Sequence, residues 1–183
     1  MIKNFKDILF AEKWVQDKYF VSDNTMLSFY GVIILSKYPC KFYEHLFPIS
    51  RMGRSIVFCE TLINGEPILV STVHLESLEN PEVRINQMNL SFPILKHFNN
   101  SFIMGDFNFH STWPEQKVID ENNFDDVFLT LNSGKEALTF PSEGVRLDKI
   151  VCNKTGKWKG EQIYIIGGFS IPSFSKEDPN KNV

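Results

Sequence analysis

Two β-prone runs joined by Asn64-Gly65 constrain this chain more than any other feature. Ser55 to Ile63 and Ile68 to Val73 read as strands, and Asn and Gly both tolerate the positive φ of a two-residue hairpin. An antiparallel ladder is therefore built into this region. A helical signal follows at once. Asn80-Pro81 sets an N-cap residue before a proline suited to the first helical position. That helix carries Arg84, Gln87 and Met88, with Pro93 expected to break or kink it. Ser101 to Met104 returns as a short apolar strand ending at Gly105.

The flanking regions extend this alternation. Asn4 to Phe20 reads as a helix, with Phe5, Ile8, Leu9 and Val15 on an approximately helical stripe widened by Phe10 and Trp14. Phe29 to Leu35 reads as a buried strand ended by Lys37-Tyr38-Pro39. Leu147 to Cys152 and Gln162 to Ile166 read as later strands. Interleaved strands and helices with one antiparallel hairpin point to α/β layers around mixed sheets. At 183 residues the chain suits one domain, residues 1–183, with no repeat and no linker before its last ten or so residues.

Composition narrows the function classes. No run of about 18 apolar residues is present, so no membrane span is expected. The start, Met1-Ile2-Lys3-Asn4-Phe5-Lys6-Asp7, has no apolar h-region and is not a secretory signal. Cys40, Cys59 and Cys152 are odd in number and widely spaced, which fits core thiols in a reducing intracellular setting. A net charge of −3 argues against a protein that coats nucleic acid, because phosphate neutralisation drives such binding. It leaves room for an enzyme that grips one or two phosphates at a strand end.

Three strand ends carry chemistry. In Gly105-Asp106-Phe107-Asn108 a carboxylate and an amide lie two residues apart, where an extended segment would point them the same way. The carboxylate can take a proton from water; the amide can donate to a phosphate oxygen and hold that water. The same residues also suit an Asx-type turn. In Val73-His74-Leu75-Glu76-Ser77 an imidazole follows a β-branched strand, and would share an edge with Asp106 if the two strands share a sheet. A surface histidine at a strand end is the plain alternative. In Arg146-Leu147-Asp148-Lys149-Ile150, Arg146 and Asp148 share a face by alternation, so an Arg146–Asp148 ion pair competes with a catalytic role for Asp148.

The order of these segments resembles the endonuclease/exonuclease/phosphatase superfamily, and within it the tyrosyl-DNA phosphodiesterase 2-like group. Gly31-Val32-Ile33-Ile34-Leu35-Ser36 is similar to the early core strand of that superfamily. Ser50-Arg51-Met52-Gly53-Arg54 looks like the segment entering its next strand. His74-Leu75-Glu76-Ser77, followed by Arg84 and Gln87, resembles the histidine motif of the group, and Gly105-Asp106-Phe107-Asn108 the superfamily's most specific signature. Glu12 to Asp23 also resembles a helix and turn of the group. The resemblance spans nearly the whole chain.

It implies a four-layer α/β sandwich of two mixed β-sheets flanked by helices. It implies magnesium-dependent (or manganese-dependent) attack of water on a phosphodiester. In that scheme Asp106 aligns and deprotonates the water, Asn108 positions it and holds a phosphate oxygen, and His74 stabilises charge on the phosphate. Asp148 orients a second histidine. Arg54 and His110 are implied as substrate-binding residues, and Phe140 keeps an aromatic character usual in the group. DNA 5′ ends bearing tyrosyl adducts are the implied partner of an intracellular monomer, in the nucleus or, as the alternative, the cytoplasm. RNA, phosphoinositide or phospholipid substrates belong to other branches. The chain departs from the pattern at both ends: the early asparagine and metal-binding glutamate of the superfamily, its terminal Ser-Asp-His and its closing strand have no match, and none of the four histidines lies beyond His110. No residue can thus be assigned to the metal from sequence. A fragment without activity of its own, or a binding module, is the expectation from a different class.

Overall fold

The computed structural model describes residues 5–22, 31–133 and 137–166. The elements follow the order α1 (Phe5–Ala11), α2 (Lys13–Lys18), β1 (Phe20–Val21), β2 (Leu35–Ser36), β3 (Cys40–Leu46), β4 (Ser55–Ile63), β5 (Glu66–His74), α3 (Pro81–Leu95), β6 (Asn100–Asp106), α4 (Gln116–Glu121), β7 (Phe124–Asp126), α5 (Val127–Leu131) and β8 (Asp148–Asn153). Strands β3 to β8 make one mixed six-stranded sheet in the order β3-β4-β5-β6-β8-β7, and β1 and β2 make a separate antiparallel ribbon. The α/β class stands, with the mixed sheet expected; among the described residues the second sheet is that two-stranded ribbon.

The hairpin forms as the turn residues dictate. Asn64 and Gly65 sit at φ 53° and 79°, and β4 pairs with β5 from Ile63↔Glu66 out to Ile56↔Val73. From β5 the chain crosses through α3 and returns as β6, parallel to β5 with His74 level with Asp106. A parallel return needs such a crossover, because no tight turn can make it. Strand β8 then pairs antiparallel to β6 and sets Asp148 level with Asp106. The register thus brings three separate strand ends abreast at one edge of the sheet.

Helix α3 holds this arrangement. Arg84, Gln87, Met88, Ser91, Phe92 and Leu95 recur at helical spacing and are all buried. Met88, Phe92 and Leu95 join one core with Leu69 and Val73 of β5, Ile103 of β6 and Val151 of β8. Phe92 meets Phe124 with ring centroids 4.8 Å apart. The opposite face is more open: Val70, Thr72, Phe102 and Met104 are half-buried and Ile150 is exposed. His74, Asp106 and Asp148 are in phase with this open face.

Several sequence expectations are corrected. The helix expected over Asn4 to Phe20 is two helices, because Glu12 takes extended backbone (φ −67°, ψ 124°) and starts a second one; Asn4 lies outside the described residues. Of the strand expected over Phe29 to Leu35, Phe29 and Tyr30 lie outside the described residues, and residues 31–34 form no strand. The Ser22 hydroxyl accepts from Ile34 N there (2.9 Å), taking the place of a ladder partner. Pairing is confined to Leu35 and Ser36. No strand forms at residues 162–166, where Tyr164 and Ile166 are exposed and no neighbouring strand among the described residues supplies a ladder. Pro93 sits inside α3 without ending it. Asn80 stands at the N-cap but makes no side-chain cap bond; its amide instead donates to Ser77 O at 2.7 Å. Edge strand β3 was not foreseen, since its alternation is half-buried at best and three of its residues are Lys41, Glu44 and His45. All three cysteines are free; Cys59 and Cys152 are buried, and burial beside Cys40 pushes the Cys59 thiol up to about 12.

Candidate active site

Asp106 ends β6 under two constraints. Gly105 precedes it at φ +131°, where a Cβ would lie 2.0 Å from Val73 O, so only glycine lets β5 and β6 close up beside the site. Asn108 follows at φ 55°, a left-handed conformation that Asn accepts better than most residues. Its N–H donates to Asp106 Oδ1 at 2.8 Å. The Asx turn and the candidate carboxylate are therefore one structure: Oδ1 closes the turn and Oδ2 faces the His74 Nε2 at 3.5 Å. Asp106 and His74 side chains are each 32% exposed, so both reach solvent from a half-buried position.

The Asn108 amide is oriented by what surrounds it. Nδ2 donates to Leu75 O (2.9 Å) and to Ser77 Oγ (3.2 Å). A backbone carbonyl can only accept, so Nδ2 and not Oδ1 must face Leu75. Both amide hydrogens are then used. What Asn108 offers outward is Oδ1, an acceptor that can hold a water proton; donation to a phosphate oxygen is not what this orientation provides.

Beneath lies Arg54, 2% exposed. Its Nη2 donates to Ser77 Oγ at 2.8 Å. Ser77 thus links the guanidinium to the Asn108 amide. Arg54 supports the site from below rather than presenting its charge at the surface. Glu76, fully buried, accepts from Ser50 Oγ (2.7 Å), Arg51 N (3.1 Å) and Gln87 Nε2 (3.4 Å), while Gln87 Oε1 accepts from Glu76 N (2.9 Å). The segment after His74 is clamped to α3 and to the loop before β4.

Electrostatics tune the pair. Burial and the Arg54 charge push His74 below the usual histidine range, against the pull of Asp106 and Asp148. Burial raises the Asp106 carboxyl and Asp148 adds to the rise, while the Asn108 N–H, His74 and Arg54 oppose it. The two groups face each other and titrate as a pair. Near neutral pH this leaves a neutral imidazole beside a carboxylate whose basicity exceeds that of an ordinary aspartate. Such a carboxylate is better matched to taking a proton from water.

Asp148 is brought to the same edge but is exposed. Arg146 Nη1 donates to the Asp148 backbone carbonyl (3.1 Å), and Nη2 donates to buried Asp126 Oδ2 (2.7 Å). The buried ion pair of the Arg146 guanidinium is with Asp126, which also faces the buried Lys149 amine at 3.7 Å. The reason is burial, since a fully desolvated guanidinium needs an equally buried carboxylate. The Asp148 and Leu147 N–H groups both donate to Thr139 Oγ1, fixing the strand start. His110 is held in its own turn, where Nδ1 meets Thr112 Oγ1 at 3.0 Å. Ser77 and Arg84 belong to the histidine-motif segment without a role assigned from sequence, and Glu115, which pairs with Arg84 at 2.6 Å, was not singled out. Glu115 follows Trp113-Pro114 with no motif around it, so no sequence signal marks it.

Among the described residues no group of three or more His, Cys, Asp and Glu side chains is placed to hold a metal ion. Asp106 and Asp148 are the acids at the edge, and Glu76 is consumed by its three donors. Taken alone, these residues do not make up the resident magnesium site that the resemblance implies, and no step below is routed through an ion.

No protein-family model and no curated protein matches the sequence. The structure does match solved ones. Humanized D. rerio TDP2 carrying 14 mutations aligns at TM-score 0.63 and 18% identity, over 94% of this chain and 75% of that one. TDP2 from C. elegans aligns at 0.58 and 17%, over 82% of this chain and 52% of that one. A β-hairpin deletion mutant of Staphylococcus aureus beta toxin aligns at 0.56 and 21%, over 82% and 65%. Another beta toxin structure holds bound magnesium ions. The chain has the endonuclease/exonuclease/phosphatase fold, and spans about half to three quarters of the length of these structures.

Proposed function

We propose that this chain carries the catalytic edge of a phosphodiester hydrolase of the tyrosyl-DNA phosphodiesterase 2-like kind. The observation that supports this best is the register that sets His74, Asp106 and Asp148 abreast on three neighbouring strands, with the Asp106 carboxyl raised in pKa by its surroundings. Asp106 Oδ2 takes the proton of a water that Asn108 Oδ1 orients. His74, neutral and donating, stabilises charge that builds on the phosphate. Asp148 keeps the negative field at the edge, and Arg54 holds Asn108 through Ser77. DNA 5′ ends with tyrosyl adducts are the proposed substrate, on the fold likeness to TDP2 together with the His74-Leu75-Glu76-Ser77 segment; a nuclear location follows from that role.

The test is hydrolysis of a 5′-tyrosyl oligonucleotide against sphingomyelin and an inositol phosphate, with and without Mg2+ or Mn2+. Faster cleavage of the tyrosyl oligonucleotide supports the reading; preference for the lipid moves the protein to another branch. Asp106→Asn should lower the rate by about 10²–10⁴ with the fold intact. The absence of a three-ligand metal group among the described residues favours a second reading, a phosphate-binding module without turnover. Saturable binding of all substrates with no hydrolysis under either metal would establish it.

A further inference from the structure

Cys40 and Cys59 take no part in the site at the Asp106 edge, yet the β3–β4 ladder sets them side by side. Cys40 opens β3 opposite Thr61, and Phe42 lies opposite Cys59. The two cysteines are therefore diagonal neighbours on one face of the ladder. Their thiols hydrogen-bond to each other. Thr61 Oγ1 donates to Pro39 O at 2.9 Å and keeps the chain entering β3 against β4. We propose that this pair is a redox modification site: a peroxide oxidant converts Cys40 to a sulfenic acid, and Cys59 closes it to a reversible disulfide within the chain. The site is independent of the hydrolase reading above.

The two thiols differ in a way that assigns their roles. Cys40 is half-buried, whereas Cys59 is buried at 2% exposure, so a peroxide reaches Cys40 first. Burial, and after it the Cys40 thiol, push the Cys59 thiol up to about 12; it keeps its proton and donates it towards the Cys40 sulfur. Cys59 is thus held against the atom it has to attack. An accessible thiol beside a resolving one is the arrangement of redox-sensing cysteines. The atoms balance. The Cys40 sulfur attacks one oxygen of hydrogen peroxide, the O–O bond breaks, and a first water leaves. The Cys59 sulfur then attacks the Cys40 sulfur, the S–O bond breaks, and the departing hydroxide takes the Cys59 proton as a second water. The thiol pair gives up two electrons and the peroxide accepts them.

Strand geometry makes the bond labile. Diagonal positions of an antiparallel pair stand about 7–8 Å apart, beyond the roughly 4.4–6.8 Å that a relaxed disulfide spans. Closure therefore draws β3 inward at Cys40. Because β3 is the outermost strand of its sheet and Cys40 its first residue, a strand end moves and the packed centre stays. A disulfide closed against such resistance is reduced readily, which suits a transient redox mark rather than a permanent staple. Cys152 is no competitor within the chain. It lies on β8, three strands from β4 and about 14 Å away at ordinary strand spacing.

The experiment treats the full chain, reduced and freed of reductant, with hydrogen peroxide. Remaining thiols are blocked with N-ethylmaleimide in denaturant and the products mapped by mass spectrometry. The expected product has lost two hydrogens, carries its maleimide on Cys152, and yields a Cys40–Cys59 cross-linked peptide that dithiothreitol separates. Cys40→Ser should abolish the cross-link and slow oxidation of Cys59 about tenfold, since access governs thiol reactivity. Cys59→Ala should leave Cys40 as a sulfenic acid that dimedone captures, and Cys152→Ser should leave the cross-link unchanged. Three thiols still open to alkylation after peroxide, Cys40 driven to the sulfinic acid without a cross-link, or a disulfide to Cys152 or to a second chain would each overturn the proposal. Should the buried Cys59→Ala variant fail to fold, the peptide map of the unsubstituted chain decides alone.

Discussion

At Asp106 one carboxylate serves two masters, and the cost can be measured. Its folded pKa is raised, so the native state takes up a proton before the unfolded chain does. Above the raised value the ionised group destabilises the fold; as pH falls through it towards the ordinary value of 3.8, that cost is relieved. Asp106→Asn keeps an Oδ1 acceptor for Asn108 N while removing the charge. The variant should therefore melt higher than the parent at pH 7, with the gap closing on acidification; thermal melts from pH 7 to pH 4 would show it, and a lower melting point at pH 7 would contradict the shift. His74 acts with the opposite sign. Its pKa lies below the unfolded value, so the stability due to it is present above 6.5 and is lost as pH falls through the folded pKa. His74→Gln should flatten that loss. Gly105 gives a harsher test: a Cβ 2.0 Å from Val73 O cannot be accommodated without separating β5 from β6. Gly105→Ala should cost several kcal/mol, about what forced backbone strain and a broken ladder together remove, and should lower both soluble yield and denaturation midpoint.

Among elements, α3 does more than cover the sheet. Its apolar stripe fills the core, and its polar residues Arg84 and Gln87 point at the segment between His74 and Asn80. The two kinds of contact should separate under mutation. Phe92→Ala, at a fully buried position packed on Phe124, should cost about 3–5 kcal/mol in denaturant unfolding while leaving the site geometry in place. Arg146→Met should cost less than that, because the buried Lys149 amine at 3.7 Å keeps a cation beside Asp126. The hairpin β4–β5 was legible because Asn64 and Gly65 have few other uses. The crossover was legible because Asn80-Pro81 opens a helix between two apolar strands. Strand β3 was not, since an edge strand shows no continuous apolar run, and the run over residues 162–166 misled because β-branched composition cannot tell whether a neighbour exists to pair with.

For the whole molecule the open question is the ion. The described residues bring two carboxylates and an imidazole to one edge but no three-ligand group. Calorimetric titration of the 183-residue chain with magnesium should show no stoichiometric binding; a clear one-to-one transition would require a site that the described residues do not compose. By itself the sequence determined that His74 and Asp106 close strands and that Asp148 stands beside the start of one, because strand-forming runs and the Gly-Asp-Phe-Asn and His-Leu-Glu-Ser segments are local features. Only the tertiary structure decided that His74, Asp106 and Asp148 stand level, because strand register is set by long-range pairing. It also decided that Arg146 pairs with Asp126, because burial and not spacing selects ion-pair partners. The direction in which the Asn108 amide points likewise came from a carbonyl 33 residues away in sequence, at Leu75.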